Sequence, residues 1–191
     1  ISVEKDSTAN SNAVGVYAVN GSEVTNEGTV DVGGKDSIGF ALIKGGDSSN
    51  TGIITVGNVA ENSIGFYGKE DNFNNTGTIQ VTSSKDKNKA VVLDGTNVDN
   101  KINFTNTGNI SVQGEGNIGV YGEGKYTFNH EKNTAGTNKI SVGSDAIGIY
   151  AKEASGTLNI KAPIDIAASG TGTTIGIYSD GEAKVNFGDD S

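Results

Sequence analysis

Short apolar runs with a period of two recur along the whole chain, each closed by Gly or Asn. The spacing predicts β-strands, and no amphipathic helix is expected. One four-residue run repeats as VGVY at 14–17, IGFA at 38–41, IGFY at 64–67, AVVL at 90–93, IGVY at 118–121, IGIY at 147–150 and IGIY at 175–178. Successive copies lie 24, 26, 26, 28, 29 and 28 residues apart. A second run alternates with it: NEGTVDV at 26–32, NTGIITV at 50–56, NTGTIQV at 75–81 and NTGNISV at 106–112, with weaker copies at 136–142 and 161–167. A third, less regular run precedes the second, as in INF at 102–104, YTF at 126–128, LNI at 158–160 and VNF at 185–187.

Repeats of this length with three short strands predict an all-β, right-handed parallel β-helix. About seven coils of 24–29 residues are expected, forming one segment over 1–191. Each strand then pairs with its equivalent one coil on, at a rise of about 4.8 Å. Alternation places Ile38, Ile64, Ala90, Ile118, Ile147 and Ile175 on the core face, with Phe40, Phe66, Val92 and Val120 beside them. The same rule puts Val30/Val32, Ile54/Val56, Ile79/Val81 and Ile110/Val112 inward. Gly15, Gly39, Gly65, Gly119, Gly148 and Gly176 are expected outside as a flat lane, beside Tyr17, Tyr67, Tyr121, Tyr150 and Tyr178. In the Asn-x-Gly corners, Gly28, Gly52, Gly77 and Gly108 are expected at positive φ. Asn26, Asn50, Asn75 and Asn106 are expected to stack as a hydrogen-bonded amide ladder.

Composition narrows the function. Gly supplies 29 of 191 residues, about twice the usual share. The hydrophobic fraction of 34% suits a thin solenoid, whose core is narrow. Cys, Met, Trp and Arg are absent. That excludes a disulfide framework, a thiolate metal site, a Cys nucleophile and a bidentate Arg clamp. A net charge of −9 argues against nucleic acid and anionic membranes as partners. No apolar run is long enough to span a bilayer as a helix. The acidic residues form no calcium-loop motif, so no metal or cofactor is expected.

Candidate contacts lie where the repeat is broken. The segments 82–89 and 94–101 flank the coil without an IGxY run, and 122–139 is longer than its equivalents. Insertions in a solenoid map to loops, where binding concentrates. Lys85, Lys87 and Lys89 form a basic spot on an acidic rod, with a solvated loop as the plainer reading. Tyr126, His130 and Lys132 are expected in the long loop, with Phe128 in the core because it matches Phe104. His130 has no second His or Cys to complete a metal site. Tyr121, Tyr150 and Tyr178 offer either a flat aromatic strip for sugars or protein, or a purely structural stack of rings. A Ser–His–Asp triad would need His130, and no nucleophile elbow is present, so no enzyme is expected.

The recurring NTGxIxV…IGxY pattern resembles the passenger domains of autotransporter (type V secreted) adhesins, and most closely the large fusobacterial-type outer-membrane adhesins. The resemblance implies a right-handed parallel β-helix displayed on the bacterial surface or secreted. It implies binding to a host-cell receptor or glycan, or to a partner bacterial surface, without insertion of this segment into the membrane. It also implies a piece of a longer passenger, monomeric in isolation. A passive spacer and a carbohydrate-active β-helix enzyme stand as alternatives.

Overall fold

The computed structural model describes residues 1–3, 12–57, 59–152, 155–168 and 172–188. Three parallel sheets of seven strands each run side by side along one axis. The first sheet runs from Ser2–Val3 to Ile164–Ile166, the second from Val14–Val19 to Ile175–Asp180, and the third from Thr25–Asn26 to Lys184–Phe187. The chain visits the sheets in rotation, so every strand pairs in parallel with its equivalents one coil away. Six steps separate the first and seventh strands of a sheet, about six full turns against the seven coils expected. The described residues contain no helix.

Identical residues stack in the core. Ile54, Ile79 and Ile110 share one lane of the first sheet, and Val56, Val81 and Val112 the next. All six are at most 1% exposed. Phe66 of the second sheet meets Phe73 and Phe104 of the third, with ring centroids 4.1 and 5.3 Å away. Phe128 follows 5.7 Å from Phe104. Ring packing between the second and third sheets thereby fills this part of the core.

The amide ladder is present and has one direction. Nδ2 of Asn26 donates to Oδ1 of Asn50 at 2.7 Å, Asn50 to Asn75 at 2.7 Å, and Asn75 to Asn106 at 2.6 Å. A second buried ladder precedes the strands of the second sheet. There the backbone N–H of Ser37 donates to Ser63 Oγ, that of Ser63 to Asn88 Oδ1, and that of Asn88 to Asn117 Oδ1, at 3.0, 3.0 and 2.9 Å. Both ladders satisfy polar groups that a narrow core would otherwise strand.

Two expectations about faces are corrected. Strict alternation fails inside the second sheet, where two successive residues of each strand point inward. Would-be Cβ atoms on Gly39 and Gly65 approach the side chains of Val32 and Ile54 at 2.9 and 3.2 Å, so the Gly lane lies inside, where two sheets leave room for nothing larger than the methyl of Ala90. The Ile lane is pushed outside: Ile38, Ile64, Ile147 and Ile175 are half-buried, and none joins the core cluster. Ile118, 9% exposed, occupies the same lane. The fourth coil is also one residue out of the expected register. Lys89, not Ala90, pairs with Ile64 and Ile118, so Val91 enters the core and Val92 takes the Tyr position.

The third correction concerns the Asn-x-Gly corners. None of Gly28, Gly52, Gly77 and Gly108 has positive φ. Would-be Cβ atoms on Gly52, Gly77 and Gly108 would instead fall on the carbonyl oxygens of Gly28, Gly52 and Gly77. Close stacking of corner on corner, not backbone handedness, demands glycine. Left-handed residues occupy the other two corners, as in Asp36, Asn62, Lys87 and Asp145 before the second sheet and Lys44, Glu70 and Asn97 after it.

Candidate functional site

The strand Tyr126–His130 belongs to the third sheet, so the long loop expected over 122–139 is confined to 131–139. Tyr126 is 2% exposed and His130 fully buried. Both point inward with Phe128, because in this strand every second residue faces the core. Neither presents itself to a partner, which corrects their placement in a solvated loop. Burial pushes the Tyr126 hydroxyl up to about 12. His130 continues the amide ladder: its Nδ1 lies 3.0 Å from Nδ2 of Asn106, and its Nε2 lies 3.1 Å from the carbonyl oxygen of Pro163. Burial holds its imidazole below the ordinary value, against the opposing hydrogen bonds and the Glu131 charge.

Lys132 is exposed in the 131–139 loop. That loop replaces a two-residue Thr-Gly corner and is closed by its own amides. Nδ2 of Asn138 donates to the Glu131 carbonyl, and Asn133 N–H to Asn138 Oδ1, both at 2.7 Å.

The three lysines of the 82–89 segment separate. Lys85 and Lys87 are exposed in the turn, with Asp86 3.9 Å from Lys87. Lys89 lies in the strand Lys89–Gly95, half-buried, its ammonium 5.9 Å from the centroid of Tyr121. Burial lowers its pKa.

The Tyr lane faces outward as expected, and the rings of Tyr121, Tyr150 and Tyr178 pack on one another. Tyr121 and Tyr150 meet edge-to-face at 5.6 Å, Tyr150 and Tyr178 at 5.0 Å. The Tyr121 hydroxyl donates to Glu123 at 2.6 Å, and Glu123 pairs with Lys152 at 3.3 Å. Burial, then this bond, raise the Tyr121 pKa. Cross-strand stacking accounts for these contacts.

One site was missed by reading the sequence. On the outer face of the third sheet, Gly45, Glu70, Asp71, Asn72, Asn100, Lys101 and Asn103 line a pocket of about 350 Å³. Asp71 is 2% exposed. Its Oδ1 accepts from the Asn72 N–H at 2.7 Å, while its buried Oδ2 has no hydrogen-bond partner among the described residues. Burial raises this carboxyl to about 6; the Asn72 bond opposes the shift and the Asp47 charge adds to it. A Cβ at Gly45 would come within 2.6 Å of Oδ2, so the carboxylate fits only because position 45 has no side chain. Glu70 is neutralised by Lys44 at 3.6 Å. Asn103 donates to Asn72 at 3.0 Å and Asn72 to Asp47 at 3.1 Å, which fixes the outer amides. The only sequence signal is the alternation in DNFNN and KINFTN, which puts Asn72 and Asn103 outside; three separate coils build the pocket.

Among the described residues no three His or carboxylate side chains converge as metal ligands. A family model described as BigA third pectate lyase-like domain matches residues 1–188. No curated protein and no solved structure matches the chain.

Proposed function

The chain belongs to the BigA third pectate lyase-like domain family, and from that premise we propose that it is a surface-displayed segment of an autotransporter adhesin that binds a host-cell or bacterial-surface receptor or glycan without chemistry. BigA is an autotransporter adhesin, which supports the passenger reading and the bacterial surface as its place. The likeness to the fusobacterial type rests on the repeat motif alone.

One structural observation carries the binding reading. Among the described residues the three sheets are regular from coil to coil, and outward features that break the repeat include the turns 82–88 and 96–101, the 131–139 loop and the pocket at Asp71. A scaffold that holds variable surface features on a fixed ladder is suited to recognition.

The test is flow cytometry of the purified chain on mammalian and bacterial cells, beside a variant in which a Thr-Gly corner replaces 131–139. Saturable binding by the chain is expected, and its loss in the variant would put the contact on that loop. Failure of a folded chain to bind any cell would favour the spacer reading, to which the unbroken ladder is equally suited.

A further inference from the structure

We infer that His130 is a pH latch for the 131–139 loop: its neutral ring holds the base of the loop closed, and protonation in a mildly acidic medium releases it. The inference goes beyond the adhesin reading and does not depend on what the loop contacts.

The latch centres on the carbonyl of Pro163. That oxygen accepts from Nε2 of His130 at 3.1 Å and from the backbone N–H of Ile140 at 3.0 Å. His130 immediately precedes the loop and Ile140 immediately follows it, so one carbonyl ties both ends. The His130 carbonyl completes the tie by accepting from the N–H groups of Lys161 and Ala162 at 2.8 and 3.0 Å. The next coil offers Ile160 in place of a ladder amide, which leaves the Pro163 carbonyl as the partner for Nε2.

The ring holds this tie only while neutral. Nδ1 faces Nδ2 of Asn106 at 3.0 Å, and a protonated Nδ1 would set one donor against another. The amide is not free to turn over and offer its oxygen. Oδ1 of Asn106 already accepts from Asn75 at 2.6 Å, and Nδ2 also donates to the Gly108 carbonyl at 3.0 Å. Turning Asn106 would require Asn75, Asn50 and Asn26 to reverse in turn, and each holds the same bond to its own corner glycine.

The surrounding charges do not rescue the imidazolium. Strands Ile102–Asn106 and Thr157–Ile160, on either side, contribute no ionisable side chain. The Glu131 carboxylate favours the charged ring but is paired with Lys161 at 3.5 Å. Lys139, at the end of the loop, pairs with Asp165 at 2.8 Å, and Lys132 is exposed. Burial disfavours the charged form throughout. A proton therefore binds the open base of the loop in preference to the closed one, and acid shifts the balance toward opening.

The test follows backbone amide exchange of the whole chain by NMR between pH 7.5 and 5, corrected for intrinsic rates. The ring signals of His130, the one histidine of the chain, are followed in the same samples. His130→Asn, which keeps a ladder residue and does not titrate, is run beside it. Protection at Asn133 and Ile140 is expected to fall at least about fivefold over that range, with the midpoint of the ring titration. Strands Ile53–Val56 and Thr78–Val81 are expected to keep theirs, and the variant to show no such fall. Loop protection that is flat with pH, or that falls equally in His130→Asn, overturns the latch. So does a uniform loss along the chain, which reports global destabilisation. Should the variant fail to fold, the ring decides in the unaltered chain. A bare Nδ1 and a protonated Nε2 at pH 7.5 are expected, and a ring that titrates without moving the loop overturns the inference.

Discussion

Nδ2 of Asn106 lies 3.0 Å from Nδ1 of His130, and this contact ends a ladder of side-chain amides that starts at Asn26. The ladder has one polarity, each amide donating to the next, so the ring nitrogen at its end must accept. Nε2–H then donates to the Pro163 carbonyl. The neutral imidazole is the form that fits.

The first prediction follows from that protonation state. Burial depresses the folded pKa of His130 below the unfolded value of about 6.5. The unfolded chain therefore binds a proton first, and stability present above about pH 6.5 falls as pH drops toward the folded pKa. The nearest charges, Glu131 and Lys161, pair with each other at 3.5 Å. His130→Asn restores the ladder residue and removes the titration. Thermal melts from pH 7.5 to 5 are expected to show a shallower loss of Tm in the variant; equal slopes would show that His130 does not titrate on unfolding.

Asp71 has the opposite sign. Its folded pKa of about 6 exceeds the unfolded value, so its ionisation costs stability as pH rises from about 4 through 6. Asp71→Asn keeps the acceptor for the Asn72 N–H and removes the charge. Discounted for solvent screening, the variant should gain about 1 kcal/mol at pH 7.5, roughly 2–4 °C in Tm. The gain should vanish near pH 4. A Tm difference that is flat with pH would contradict the assignment.

Inside and outside in the second sheet can be told apart by truncation. Phe66 is fully buried against Phe73 and Phe104. Phe66→Ala should cost about 3–5 kcal/mol. Ile147 sits in the outer lane, half-buried, and Ile147→Ala should cost about 1 kcal/mol or less. Urea denaturation with equal losses for the two would overturn the inward placement of the Gly lane.

The corner glycines give a matched pair. A methyl at Gly77 falls on the Gly52 carbonyl, whereas one at Gly28 meets nothing within 4 Å. Gly77→Ala is expected to cost about 1–3 kcal/mol or more, from backbone displacement. Gly28→Ala should change stability by about 0.5 kcal/mol at most. Equal effects, measured by chemical denaturation, would point to φ and not to stacking as the constraint.

The repeat length, the three strands per coil and the stacking of like on like were legible in the sequence. A parallel ladder pairs equivalent residues of successive coils, so periodicity in the chain becomes contact in space. Asn26, Asn50, Asn75 and Asn106 were legible for the same reason. What the tertiary structure alone decided lies where that equivalence breaks. Gly39 and Gly65 turn inward because two sheets converge there, and a period of two cannot announce two successive inward residues. Lys89 takes the place of Ile64 because backbone register, not motif likeness, sets the pairing. His130 substitutes for Asn in the ladder by shape and hydrogen-bonding capacity, which no residue-type pattern reports. The pocket at Asp71 draws Gly45, Asp71 and Lys101 from three coils, and only the winding of the chain brings them together.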